Sequence, residues 1–251
     1  MVKKWNIQIP ELSGSMERRV YVYLPDTYEK QLDRHYPVMY MFDGHNVFFD
    51  SDATFGKSWG MKEYMDRTQK QLMIVAVECN HEGNCRLQEY APVDFDIPDL
   101  GPIQGRGDAY MNWLVNALKP YIDSHYRTLP DRDNTLICGS SMGGLMALYA
   151  ACAYNHVFRK AACLSPSLWV NPGKILETVD RSHIHQETCI YMDYGSEEMA
   201  NHAAMGDHLI SCSDLLLKKG ANLTLRVVPG GTHCEASWEQ QIPIIMECVG
   251  L

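Results

Sequence analysis

What this chain lacks narrows it first. No apolar run approaches the roughly 18 residues of a membrane helix, no lysine or arginine cluster stands out, and no repeat or low-complexity tract divides it. Lys and Arg number 22 against 31 Asp and Glu, a formal net charge of −9, which argues against a nucleic-acid surface. The stretch Met1 to Pro10 carries Lys3 and Lys4 but no apolar segment of the secretion-signal kind. The nine cysteines are odd in number and none forms a C-x-x-C pair, so zinc-ribbon and thioredoxin-like readings lose their support. Cys138, Cys152, Cys163 and Cys189 lie inside apolar runs, where a thiol serves as a small hydrophobe. A reduced, cytoplasmic setting is expected.

What is present is ordinary for a globular protein: 46% hydrophobic and 21% charged residues over a length that suits one α/β domain. With no linker visible, residues 1–251 are read as a single domain. Short β-prone runs recur at Val20–Leu24, Pro37–Phe42, Gln71–Val77, Leu136–Cys138, Ala161–Leu164, Cys189–Met192 and Leu223–Val228. Helical spacing fills the gaps. Residues 110, 113, 114, 117 and 118 make one apolar face, which Pro120 should kink or restart. His208–Lys219 ends at Gly220 with cations in its last turn, and Ser237–Cys248 reads as a final helix. Alternating strands and helices predict a mostly parallel central sheet with helices on both faces. Residues 80–107, rich in Gly, Pro, Asp and Asn, read as a long ordered loop.

The chain is organised around Gly139-Ser140-Ser141-Met142-Gly143, a G-x-S-x-G motif between an apolar strand and the Ala/Leu-rich helix that starts near Leu145. A strand turning sharply into a helix exposes the central serine, and the flanking glycines let the backbone pass closely. Ser141 is therefore the candidate nucleophile, with the Met142 N–H as one oxyanion donor at the helix N-terminus.

A serine nucleophile needs a base, and the base needs a carboxylate to orient it. His233, in Pro229-Gly-Gly-Thr-His233 directly after the Leu223–Val228 run, combines chain order and context. The acid should follow Cys189–Met192, where Glu198 is preferred to Glu197, with Asp193 third, because a loop past Gly195 can curl back toward the histidine. Phe42-Asp43-Gly44-His45 follows an earlier strand, and the His45 main chain is the candidate second oxyanion donor. Trp59, Trp169 and Trp238, with Phe48 and Phe49, fall in segments that could rim the site; Trp169 and Trp59 are the candidate substrate-binding residues. His183, His185, His202 and His208 lack a supporting carboxylate pattern, so no metal is expected.

Tyr40–Phe48, Leu118–Arg127, Gly139–Gly144, Leu164-Ser-Pro-Ser-Leu-Trp169 and Gly231–His233 together resemble the putative-esterase family. That family includes feruloyl and acetylxylan esterases, ferric-siderophore esterases, S-formylglutathione hydrolase and mycolyltransferases. The resemblance runs from about residue 17 to about 240. It implies an α/β-hydrolase fold, Ser141 as nucleophile, His233 as base and an acid three residues after Gly195, which is Glu198. It also implies the His45 N–H as the second oxyanion donor.

The expected activity is serine esterase chemistry on a small-molecule or carbohydrate ester. A cytoplasmic setting and a small-looking pocket loop favour short acyl groups, acetyl above feruloyl, on a sugar or similar metabolite. An acyltransferase on the same triad and a non-catalytic binding protein are the alternatives. No cofactor, nucleic-acid partner or membrane association is expected, and a homo-oligomer is possible.

Overall fold

A computed structural model describes residues 1–201 and 204–251, and of residues 199–201 the backbone alone. Its strands are β1 (Val2–Gln8), β2 (Glu17–Tyr23), β3 (Val38–Met41), β4 (Met73–Val77), β5 (Phe95–Ile97), β6 (Gly101–Ile103), β7 (Thr135–Ser140), β8 (Lys160–Leu164), β9 (Cys189–Gly195) and β10 (Asn222–Val228). Eight of them form one sheet in the order β1-β2-β4-β3-β7-β8-β9-β10, while β5 and β6 make a separate hairpin. From β4 to β10 all neighbours are parallel; β2 runs antiparallel to both β1 and β4.

The apolar runs are uniform rather than alternating because the central strands are covered on both faces. In β2, Val20 and Val22 enter one core while Tyr21 and Tyr23 enter the other. In β7, Ile137 points to the first and Leu136 and Cys138 to the second. The first core is roofed by helices Gly107–Trp113, Met142–Ala153, Pro172–Arg181 and Met205–Lys218; the second by Met61–Thr68 and Ile242–Cys248. This is the mostly parallel, doubly covered sheet that the strand pattern predicts and the α/β-hydrolase architecture that the resemblance implies, with β1 and β2 making the sheet mixed. Among the described residues no helix is long and apolar enough to cross a membrane.

Several local expectations change. Pro120 restarts the α pattern without breaking the helix: Gly107–Trp113 passes through a π turn at Leu114–Leu118 into Lys119–His125, with helical dihedrals at Leu118 and Lys119. The wide turn precedes the one position that lacks an N–H to donate. The final helix is two, Glu235–Glu239 and Ile242–Cys248, the second starting with Pro243 in its first turn, where a missing N–H costs nothing. Strand β1, whose charged residues hide its alternation, was not expected. Nor was helix Pro172–Arg181, opened by Asn171, whose side chain accepts from the Lys174 N–H.

The long loop of residues 80–107 holds helix Cys85–Glu89 and the hairpin. It is tied down by a buried ion pair, Arg18 Nη1 and Nη2 donating to the two Glu89 oxygens at 2.9 and 2.8 Å. Glu89 Oε1 also accepts from the Asn80 N–H at 2.7 Å. Both charges are 2% exposed, so removing either one would strand the other in the core. The tie fixes the loop over the sheet's carboxyl edge, where the neighbouring Arg86 faces the candidate site.

Candidate active site

The turn after β7 is tight. Ser141 takes φ 59° and ψ −124°, a region that side-chain-bearing residues rarely occupy, and helix Met142–Ala153 begins at the next residue. A Cβ on Gly139 would lie 2.5 Å from the Gly143 backbone, and one on Gly143 would lie 2.9 Å from Phe42 Cβ. Neither position can take a side chain without moving main chain or core. The turn is stitched to the next strand: Ser141 N donates to Leu164 O at 2.9 Å, and Ser167 N donates to Ser141 O at 3.1 Å.

His233 reaches this serine from the turn after β10. Its Nε2 lies 2.9 Å from Ser141 Oγ, and its Nδ1 lies 2.5 Å from Glu198 Oε2. Glu198 sits in the first turn of helix Ser196–Asn201, and its other oxygen accepts from the Gly195 N–H at 3.0 Å and from Ser165 Oγ at 2.7 Å. That carboxylate is 3% exposed, whereas the His233 side chain is 47% exposed. Trp238 presses edge-on against the imidazole, ring centroids 5.1 Å apart, and its Nε1 donates to Ser165 Oγ at 3.0 Å. Ser165 thus bridges the carboxylate and the tryptophan that flank His233.

The other two acid candidates are placed elsewhere. Glu197 is exposed and faces a cavity. Asp193 is buried in β9, accepting from the Ser165 N–H at 3.2 Å and the Tyr191 hydroxyl at 2.7 Å; burial raises its carboxyl to about 6.

The segment after β3 approaches from the opposite side. Asp43 has φ 53°, and a 3-10 turn covers Gly44–Asn46. A Cβ on Gly44 would meet the Ala76 carbonyl carbon at 2.7 Å, so only glycine lets this turn lie against β4. Asp43 N donates to the Tyr90 hydroxyl at 3.1 Å and Asn46 N to Asp43 O at 2.8 Å. Arg86 donates through Nε and Nη2 to the two Asp43 carboxylate oxygens at 2.7 and 2.8 Å. Burial by itself would raise the Asp43 carboxyl, but the charge and hydrogen bonds of Arg86 outweigh it and hold it below the ordinary range. The His45 ring is buried with Nε2 3.0 Å from Thr54 Oγ1, and burial lowers its pKa.

Ser141 stands where two cavities meet. The larger, about 560 Å³, is lined by Leu87, Ser167, Trp169, Tyr194 and Glu197; the smaller, about 340 Å³, by His45, Asn46, Cys79, Asn80, His81 and Glu235. Ser141, His233 and Arg86 border both.

Trp169, 41% exposed, faces the larger cavity as a substrate-binding residue would. Trp59 does not. It is 3% exposed and packs against Trp238 at 6.0 Å in the second core, because its segment turns inward beneath the β3 loop. Phe48 is likewise core. His183 and His185 pack against each other away from Ser141, and His202 lies outside the described residues. Among the described residues one group of three side chains could hold a metal ion, His45, Cys79 and His81, and the sequence spacing gave no hint of it. Arg86 and Ser165 were also missed, although Ser165 falls within the Leu164–Trp169 segment that carries the family resemblance.

Comparison with known proteins identifies the family and the fold. A family model described as Putative esterase matches residues 13–247. The chain is 24% identical over 199 residues to a Bacillus subtilis protein named YbbA and uncharacterized, covering 77% of this chain and 74% of that one. It is 32% identical over 142 residues to the Mycobacterium tuberculosis protein Esterase Rv1288, covering 55% of this chain but only 26% of the relative. An IroE-like serine hydrolase from Shewanella oneidensis superposes with a TM-score of 0.76 at 19% identity, covering 99% of this chain and 79% of the other.

Proposed function

Because this chain belongs to the putative-esterase family of carboxylic ester hydrolases, we propose that it is a serine esterase working through Ser141, His233 and Glu198. The observation that carries this reading is the continuous chain of contacts from Glu198 Oε2 through both His233 nitrogens to Ser141 Oγ.

In this account the buried Glu198 carboxylate accepts from Nδ1–H and leaves the Nε2 lone pair facing the serine. His233 takes the Ser141 proton as Oγ attacks the ester carbonyl. The carbonyl oxygen becomes an oxyanion, held by the N–H groups of Met142 and His45. Met142 is the first residue of its helix and has no preceding turn to donate to, while the nearby N–H groups of Ser141, Asp43 and Asn46 are already committed. His233 then returns the proton to the departing alcohol. Water, deprotonated by the same imidazole, releases the acid and restores the serine. The residues present supply every proton transfer.

An ester has two arms leaving its carbonyl, and a nucleophile at the junction of two cavities can accommodate one in each. The larger cavity lies within the usual range for small-molecule sites. Trp169 offers its face there to a sugar or phenolic ring, and the smaller cavity, at about 340 Å³, suits a short acyl group. The substrate is accordingly a short-chain, acetyl-like ester of a carbohydrate or similar metabolite. Hydrolysis is favoured over transfer to an alcohol because the His233 side chain is nearly half exposed, so water reaches the acyl-enzyme.

Turnover of p-nitrophenyl acetate and of longer p-nitrophenyl esters tests this, with wild type and Ser141→Ala side by side. The reading requires turnover that is fastest for the short chain and lost in the variant; equal rates in the two proteins would refute it.

A further inference from the structure

The smaller cavity carries a second cluster of reactive side chains that ester hydrolysis does not use. A ring nitrogen of His45, the sulfur of Cys79 and a ring nitrogen of His81 all lie within 4.8 Å of one another. Cys79 Sγ is 3.9 Å from His81 Nδ1. Tetrahedral bonds of roughly 2.0–2.1 Å to nitrogen and 2.3 Å to sulfur would set ligand atoms about 3.3–3.6 Å apart. The group thus needs a contraction of roughly 1.5 Å or less.

Both imidazoles are already oriented through Nε2. His81 Nε2 lies 3.2 Å from Glu78 Oε1, and His45 Nε2 lies 3.0 Å from Thr54 Oγ1. Outer partners of this kind fix the tautomer of a metal-binding histidine and free the other nitrogen's lone pair. The freed nitrogen of His45, Nδ1, is buried and has no hydrogen-bond partner, an expensive state for a polar atom with nothing to bind. His45 itself is 4% exposed, and the two rings meet edge to face with centroids 4.5 Å apart.

We propose that His45, Cys79 and His81 form a binding site for a zinc-like divalent d-block cation, with its fourth position open to the cavity that Ser141 borders. A thiol with two imidazoles selects such ions over magnesium or calcium, which prefer oxygen. Cys79 enters as the thiolate, its proton released to solvent on binding. The Glu78 carboxylate beside His81 adds a second negative charge, and the Asp43–Arg86 pair nearby is neutral as a unit. All three ligands line the cavity, so an ion has a way in.

Titration of the intact protein with zinc alone, followed calorimetrically, tests this, with cobalt as a spectroscopic probe. Wild type should take up one ion per chain, and cobalt should show a thiolate charge-transfer band in the near ultraviolet. Cys79→Ser should abolish that band. His81→Ala, at a position whose side chain is half exposed and tolerant of truncation, should weaken binding about tenfold or more, and Glu78→Gln about tenfold. No uptake by wild type would overturn the proposal. So would uptake that survives in His81→Ala and disappears in His233→Ala, which would put the ion on the catalytic imidazole.

Discussion

Two serines with left-handed backbones stand at the carboxyl ends of neighbouring parallel strands, Ser141 after β7 at φ 59° and Ser165 after β8 at φ 41°. The first presents its hydroxyl to His233 at the junction of two cavities. The second is 2% exposed and spends its hydroxyl inside the protein, donating to Glu198 and accepting from Trp238. The same local strain serves two ends. On the proposed mechanism, one turn delivers the nucleophile to the substrate and the other braces the acid and the ring wall that keep the base in place.

The sharpest way to break the comparison is Ser141→Ala. On this account the variant loses roughly 10⁴–10⁶ in kcat while its unfolding midpoint stays where it was, because the hydroxyl does its work outside the core. Glu198→Gln should cost about 10⁴ in kcat with KM little changed, since an amide favours the wrong histidine tautomer. Steady-state kinetics on one ester read both effects.

The two tryptophans expected at the site extend the same division. Trp59→Ala should cost about 3–5 kcal/mol of stability in denaturant titration by leaving a cavity beside Trp238. Trp169→Ala should leave stability nearly unchanged and raise KM for aromatic or sugar esters.

Asp193 gives a pH-dependent prediction. The folded protein holds its proton up to about pH 6, whereas the unfolded chain releases it near about 3.9. The folded state binds more protons between those values, so this group's contribution to stability falls as pH rises through that window. Relative to Asp193→Asn, the wild type should therefore lose of the order of 2–3 kcal/mol between about pH 4 and pH 6 and change little above it. A constant gap across that range would contradict the burial assigned to Asp193.

The smallest effect belongs to the second serine. Ser165→Ala leaves the buried Trp238 N–H without its acceptor and Glu198 one donor short, a loss of about 1–3 kcal/mol in stability. The rate should fall about tenfold. A loss matching that of Ser141→Ala would mean that Ser165 touches the reaction itself.

The strand series and the elbow were legible because both-face burial writes itself as short uniform apolar runs, and because Gly139 and Gly143 have no steric alternative. The placement of His233 beside Ser141 was legible from its position after β10. Glu198 could be preferred on loop geometry but not separated from Glu197 and Asp193, because the difference lies in which carboxylate Gly195 and Ser165 hold. Trp59 was misplaced since an aromatic beside the β3 loop looks the same in sequence whether it turns outward or inward. Asp43 and Arg86 are 43 positions apart, and His45 stands far in sequence from the neighbouring Cys79 and His81, so nothing local announces either group.

The claim at the centre is a covalent acyl-serine. The most direct measurement is intact-mass and peptide analysis of the protein quenched during turnover of p-nitrophenyl acetate. The account predicts one acetyl group per chain, on Ser141, absent from Ser141→Ala. Cys234, beside His233, is the rival nucleophile: burial raises its thiol, but hydrogen bonds from Thr232 and Ser237 outweigh that and lower it. An adduct on Cys234, or turnover with no adduct on Ser141, would contradict the account.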